Sequence, residues 1–384
     1  MNLLNFVVPK QKEELQSDLY RIGDFRKIQY EMIPYFIELA MNQLNKLSNG
    51  YIVFKNIQEQ NLIKYLDAFG YSMKKVIVNV EDPDNRKEIK PFISFNIPNL
   101  IKDTFFYLNG SYYCPGLYIL DKPVIYKRNS IKLCSLFNSI TIYLKVGNNR
   151  AIFGGRNIPV EYFLQWFLAD DGDLLSRLET EYKLALVRYS RVRLIEYFSE
   201  FFNCSEDEEC INEAFNNLFF DDYTRGIYES SYGTDFSFRD LVYYAIINFI
   251  DGNNPHFVDL NEKRLVFVEL LLTPFFQKIS DTLFAFQRQQ YYSAVSFNEN
   301  DIIKYFMADL KHQYFYDLVN FYSGIQTHKA SFMNPNSEKP PREISAVHKS
   351  HFGRICPITI SAKKPGESVS IVPSTKVNKY GLFV

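Results

Sequence analysis

Apolar positions recur at helical spacing along residues 11–48, with Met32, Tyr35, Phe36, Leu39, Ala40 and Leu44 on one face and Asn49-Gly50 as the stop. This predicts a packed helix followed by a short strand over Tyr51–Phe54. A second helix is expected over Gln58–Phe69, ended by Gly70. Val76–Val80 then alternates as a strand before the turn Glu81-Asp82-Pro83-Asp84. From Pro91 to Pro159 short strand-like runs recur between turn signals: Phe105–Leu108, Ser111–Tyr113, Leu117–Leu120, Val124–Lys127 and Ile140–Val146. Asn109-Gly110 marks a hairpin, because these residues tolerate the positive φ that a tight hairpin turn requires.

The period changes after residue 160. Helical spacing dominates Val160–Leu168, Leu174–Phe202, Ile211–Phe220 and Phe238–Ile250, then Lys263–Phe286 and Asn300–Phe321. The acidic run Glu206-Asp207-Glu208-Glu209 reads as a solvated loop. The expected class is α+β, with antiparallel sheet completing a first domain and a mostly helical domain after it.

Composition changes the picture in two places. With 384 residues and 47% apolar content the chain can bury more than one core. It holds no run of eighteen uncharged apolar residues, so a soluble protein without signal peptide or membrane span is expected. Five cysteines without C-x-x-C spacing point to a reducing compartment rather than a disulfide frame. Charge is uneven. Overall the chain is at −1, yet residues 325–384 hold nine Lys and Arg against three acids, and three of the five histidines. Prolines and glycines interrupt this tail, so its charges fall on loops and short strands, an arrangement that suits an anionic partner such as nucleic acid.

Candidate chemistry is sparse. Asp170-Asp171-Gly172-Asp173 has the look of a metal-binding run, but it lies between two helical segments where Asp and Gly stop one helix and cap the next. His348-x-x-His351 with Cys356 supplies three zinc-type ligands and lacks a fourth. No G-x-S-x-G elbow and no G-x-x-x-x-G-K phosphate loop is present. Lys363-Lys364-Pro365-Gly366-Glu367 places two cations on a turn whose glycine lets the backbone come close to phosphate.

Several stretches taken together resemble the β subunit of multisubunit DNA-directed RNA polymerases. Val347-His348-Lys349-Ser350-His351-Phe352-Gly353-Arg354-Ile355-Cys356-Pro357-Ile358 is similar to V-H-x-x-H-Y-G-R-V-C-P-I, and Asn378-Lys379-Tyr380-Gly381-Leu382 to the following N-E-Y-G-F-L. Thr327-His328-Lys329 resembles the T-H-K of that subunit's rifampicin-pocket segment. Lys263-Arg264-Leu265-Val266-Phe267-Val268-Glu269-Leu270-Leu271 resembles its R-R-V-R-x-V-G-E-L-L helix, and Thr104-Phe105-Phe106-Tyr107-Leu108-Asn109-Gly110 its G-T-F-V-I-N-G. The matches follow family order, and residues 170–261 carry none.

The resemblance, nearest to the split polymerases of giant tailed bacteriophages, implies the N-terminal half of a β subunit. Its parts are a mixed α/β protrusion (residues 1–160), a mostly helical lobe (161–262), a helical return to the protrusion (263–324) and a loop-rich fork (325–384). The strand-like ending Tyr380, Leu382, Val384 is expected to seek the missing half. Implied partners are the β C-terminal half, both β′ halves, a phage promoter-specificity subunit, template DNA and the RNA–DNA hybrid, with no membrane. The setting would be the infected host's cytoplasm or the virion. No cofactor is expected on this chain, since in the family Mg²⁺ is held by the β′ subunit. Lys339, Arg342, His351, Arg354, Lys363 and Lys364 are the expected nucleic-acid contacts, although Pro365-Gly366-Glu367 departs from the family's P-E-G order. After T-H-K the family has R-R-L-S and this chain Ala330-Ser331-Phe332-Met333, which implies resistance to rifampicin. The alternative is a stand-alone nucleic-acid-binding transcription regulator derived from the same fold, and a scaffold whose tail packs on a partner is a third reading.

Overall fold

The computed structural model describes residues 19–48, 50–66, 70–82, 85, 88–144, 150–153, 156–169, 171–184, 186–232, 237–252, 258–287, 297–308, 313–315, 328–332, 346–356 and 369–384. Its class is α+β. The chain divides into two compact units. One joins Lys10–Leu120 to His256–Val384, and the other includes Asp121–Pro255. The second of these begins near residue 120, with the strands from Val124 onward packed against the helices that follow them.

In the first unit, helices Ile22–Glu31 and Ile33–Leu47 replace the single expected helix. Pro34 explains the break at Met32, since proline has no N–H to continue the ladder and its ring crowds the preceding turn. The apolar stripe behaves as its spacing requires. Phe36, Ile37, Ala40, Met41 and Leu44 are fully buried, while Tyr35 stays exposed. Phe36 meets Phe276 of helix Thr273–Gln287 at 6.1 Å between ring centroids, and Phe95 of strand Ile89–Pro98 meets Phe275 at 5.3 Å. Burying each such ring stabilises the unit by about 2–3 kcal/mol.

The helix expected over Gln58–Phe69 is instead part of strand Phe54–Leu66, paired antiparallel with Gly70–Glu81. Register shifts along this edge strand break the period-two alternation that would have announced it. Pairing with the buried Val76, Val78 and Val80 then outweighs the helix propensity of Gln and Glu. Lys263–Val266 and Gln313–Phe315 were likewise expected to be helical and are strands, each held by an earlier part of the chain. Gln313–Phe315 pairs with Ser111–Pro115. Lys263–Val266 lies in a four-stranded sheet beside Leu117–Asp121, which pairs parallel with Lys329–Ser331, and that strand in turn pairs with Val369–Ser370.

The second unit sets an antiparallel meander of five strands, from Val124–Lys127 to Arg156–Pro159, against helices. Phe215 is its hub, touching Phe163, Phe167, Phe198, Phe202 and Phe238 at 4.6–6.2 Å. Asp171, Ser190, Asp207 and Ser237 each cap a helix N-terminus. The run expected over Leu174–Phe202 is two helices, Gly172–Tyr182 and Arg191–Phe202, parted where Lys183 adopts a left-handed conformation. Helix Asp222–Tyr232 went unanticipated.

No helix among the described residues is long and apolar enough to cross a membrane.

Candidate functional site

The tail is woven into the first unit. Strand Lys329–Ser331 buries Ala330 and Ser331 almost completely, with Phe332 next to them 5% exposed. His328 sits at the start of this strand and its carbonyl accepts from Ile371 N–H at 2.8 Å. Burial lowers the affinity of the His328 ring for a proton, and the nearby Arg26 guanidinium adds to the effect. Lys329 is half-buried on the same strand.

The segment Val347–Cys356 folds around a short turn, Lys349–His351. His351 is 3% exposed. Its Nε2 lies 2.7 Å from the Val258 carbonyl and Nδ1 faces the His348 N–H at 3.4 Å, which fits a ring protonated on Nε2 that donates to Val258. Ser350 Oγ accepts from Leu260 N–H at 2.9 Å and its hydroxyl is 2.9 Å from His348 Nδ1. Both histidines thus serve to hold this turn against residues 258–260. Phe332 packs over the His351 ring at 6.1 Å between centroids. The nucleic-acid contact expected of His351 thus falls on a buried imidazole, bonded to a backbone carbonyl, that orders the loop.

Arg354 stands differently. It is half-buried, and Nη1 donates to Asn261 Oδ1 at 3.1 Å in an exposed setting, while its backbone carbonyl accepts from Val372 N–H and the Thr375 hydroxyl. The backbone is pinned and the guanidinium stays accessible. Among the described residues of the tail, Lys329, Lys349, Arg354, Lys376 and Lys379 are cationic and none is acidic. The expected contacts Lys339, Arg342, Lys363 and Lys364, and Thr327 of the T-H-K triplet, lie outside the described residues.

The last residues turn back on their own unit. Asn378 Oδ1 accepts from both Tyr380 N–H and Leu382 N–H at 3.0 Å, and Gly381 takes φ +79°. The Gly381 carbonyl then accepts from Leu265 N–H at 2.8 Å, with bridges from Leu382 to Arg264 and from Phe383 to Val377. The alternation of Tyr380, Leu382 and Val384 is therefore a tight turn and a return pairing, not an open strand. Arg264 and Glu269 form a bidentate ion pair across the junction between Lys263–Val266 and the short helix Val268–Leu271. Phe267, between them, meets Phe106 of strand Phe106–Leu108 at 6.2 Å.

The partners Val258, Leu260 and Asn261 carry no motif and could not be singled out from the chain, because they act through backbone groups or a common amide. In the second unit, Asp171 accepts from Leu174 N–H and the Tyr243 hydroxyl, so the Asp-Gly run is a helix cap. Glu208, expected in a loop, opens helix Glu208–Phe219 and binds Arg191 bidentately, which holds its carboxyl below the usual range. Among the described residues no group of three His, Cys, Asp or Glu side chains is placed to hold a metal ion. The chemistry available to the tail is electrostatic: accessible cations on a pinned backbone.

No protein-family model matches the chain, and no curated protein sequence matches it.

Proposed function

We propose that this protein is a β-type subunit of a phage multisubunit DNA-dependent RNA polymerase, carrying the part of such a subunit that runs from protrusion to fork. The reading rests on one observation: the separate stretches that resemble the β family fold against one another. Phe106 meets Phe267, Leu265 N–H donates to Gly381, and Phe332, directly after the strand that continues T-H-K, packs on His351. Stretches 161 positions apart (Phe106 and Phe267) and 116 apart (Leu265 and Gly381) are thereby joined in one contact cluster, as the parts of a single β-type unit would be.

In this role the chain works by position and charge. Its half-exposed cations, Arg354 first, neutralise phosphate along one wall of the DNA cleft at the fork that parts downstream strands, and hold the RNA–DNA hybrid in register. Phosphoryl transfer belongs to Mg²⁺ on the β′-like subunit, and this chain alone makes no RNA. Co-expression with the β C-terminal and both β′ fragments tests the reading. A stoichiometric complex that transcribes is expected. Purification of this chain by itself, with the other fragments assembling an active enzyme without it, would leave the regulator reading in its place.

A further inference from the structure

Phe352 stands 80% exposed at the tip of the loop that His351 fastens. Among the phenylalanines whose burial is described it is the one that is exposed, although phenylalanine is among the residues most often buried outright. Both sides of the tip are fixed. Before it, His351 is buried against the Val258 carbonyl, and Phe352 N–H closes the turn on the Lys349 carbonyl at 3.3 Å. After it, the N–H groups of Arg354 and Ile355 return to the His351 carbonyl at 3.0 and 2.9 Å, and Ile355 is buried and bridges to Ile371. Gly353, at φ +72° with open space where a Cβ would stand, lets the chain double back between the two. A pinned backbone thus holds a flat aromatic ring out in solvent.

The neighbours of the ring say what would cover it. Lys349 is exposed, and Arg354 presents its guanidinium beside Asn261 in an exposed setting. No described residue of the tail is acidic, and Asp259 is engaged with the Asn261 N–H at 3.0 Å and with His348 Nδ1 at 3.5 Å. The core of a protein interface is depleted of charge, and of lysine in particular, so one ring set between two cations suits a protein partner poorly. It suits a single strand of nucleic acid well. A base offers a π-face of matching shape whatever its identity, and the cations neutralise the phosphates next to it. A duplex keeps its bases stacked on one another and has no such face to give.

We infer that Phe352 is a stacking platform for one base of a single-stranded nucleic acid, with Lys349 and Arg354 taking the adjoining phosphates. This deepens the role proposed for the tail and rests on that reading for the source of the strand, whereas the contact itself rests on the geometry of the loop.

The test is fluorescence anisotropy of the full chain with two labelled strands of equal length, an oligothymidylate and one whose sugars carry no bases. The wild type is expected to bind the base-bearing strand about tenfold more tightly. Phe352→Ala and Phe352→Leu are expected to lose that preference, since leucine keeps an apolar side chain but has no ring face, while Phe352→Trp retains it. Affinity for the abasic strand is expected to be the same in all four proteins, which also shows that the variants fold. No binding by the wild type, equal affinity for the two strands, or a preference that survives in Phe352→Ala would overturn the inference. So would a Phe352→Ala chain that binds both strands as the wild type does but no longer joins the polymerase fragments, because the ring would then be a protein contact. The subunit role fails separately: a chain that stays out of the complex yet shows the Phe352-dependent preference sinks that role and leaves the stacking site standing.

Discussion

Gly381→Ala isolates the close approach that fastens the end of the chain to strand Lys263–Val266. At φ +79° an alanine adopts a left-handed conformation costing about 1–2 kcal/mol. Its Cβ would also fall 1.9 Å from the Leu265 carbonyl oxygen and 2.9 Å from the carbonyl carbon, both backbone atoms of a buried strand that cannot swing aside. Forced separation adds about 1–3 kcal/mol of overpacking and about 1 kcal/mol for the Leu265 N–H to Gly381 hydrogen bond, so the total is about 3–6 kcal/mol. Gly353→Ala is the matched control, since Gly353 has φ +72° and open space around a would-be Cβ, which leaves the conformational cost alone. Hydrogen exchange of peptides covering residues 263–266 and 376–384 reads the effect. Fluorescence of Trp166, the single tryptophan and a residue of the other unit, serves as internal reference. Equal loss of protection in the two variants would refute the clash argument, and no loss in Gly381→Ala would refute the whole geometry.

Other consequences can be measured alongside. Asp221 is buried, and desolvation raises its carboxyl to about 6 despite hydrogen bonds from Thr224 and Leu136; because the folded value is raised, the protonated form's advantage is present below about 4 and is lost as pH rises through about 6, an effect of about 3 kcal/mol. Asp221→Asn is expected to flatten stability between those pH values in urea titrations followed by Trp166 fluorescence, and a slope that persisted would assign it to another group. His351→Phe removes the hydrogen bond to the Val258 carbonyl and is expected to cost about 1–3 kcal/mol, with His351→Gln costing less, whereas DNA affinity of folded His351→Gln stays as in wild type; a tenfold loss of affinity would make His351 a contact. Arg354→Ala is expected to weaken DNA binding uniformly across sequences and to reduce the salt slope by about one, as measured by anisotropy at several salt concentrations. If the proposed role as a β-type subunit holds, a polymerase assembled with this chain is expected to resist rifampicin, since Ala330, fully buried in a strand, stands where the resembled family has its first arginine after T-H-K; inhibition at concentrations that stop a cellular bacterial enzyme would contradict this.

Strong local signals were sufficient wherever one face of one element had to be buried. Val160–Leu168 and Phe238–Ile250 end where their periodicity ends, Asp171 announces a helix start, and Asn109-Gly110 turns its hairpin with both residues at positive φ. The cap reading of Asp171 follows from the same short-range chemistry. Tertiary structure decided everything that depended on a distant partner. Phe54–Leu66 is a strand because a buried valine strand lies beside it, and Lys263–Val266 because Leu117–Asp121 and the Gly381 turn claim its backbone. The histidines show the same division. Their spacing in the chain was visible at once, but only the fold brings the Val258 carbonyl to His351 and the Leu260 amide to the Ser350 hydroxyl between them, turning a candidate ligand pair into the fastening of a loop. Sequence carries periodicity and capping because these act within a few residues, whereas hydrogen bonds to backbone atoms ninety positions away leave no trace in side-chain identity.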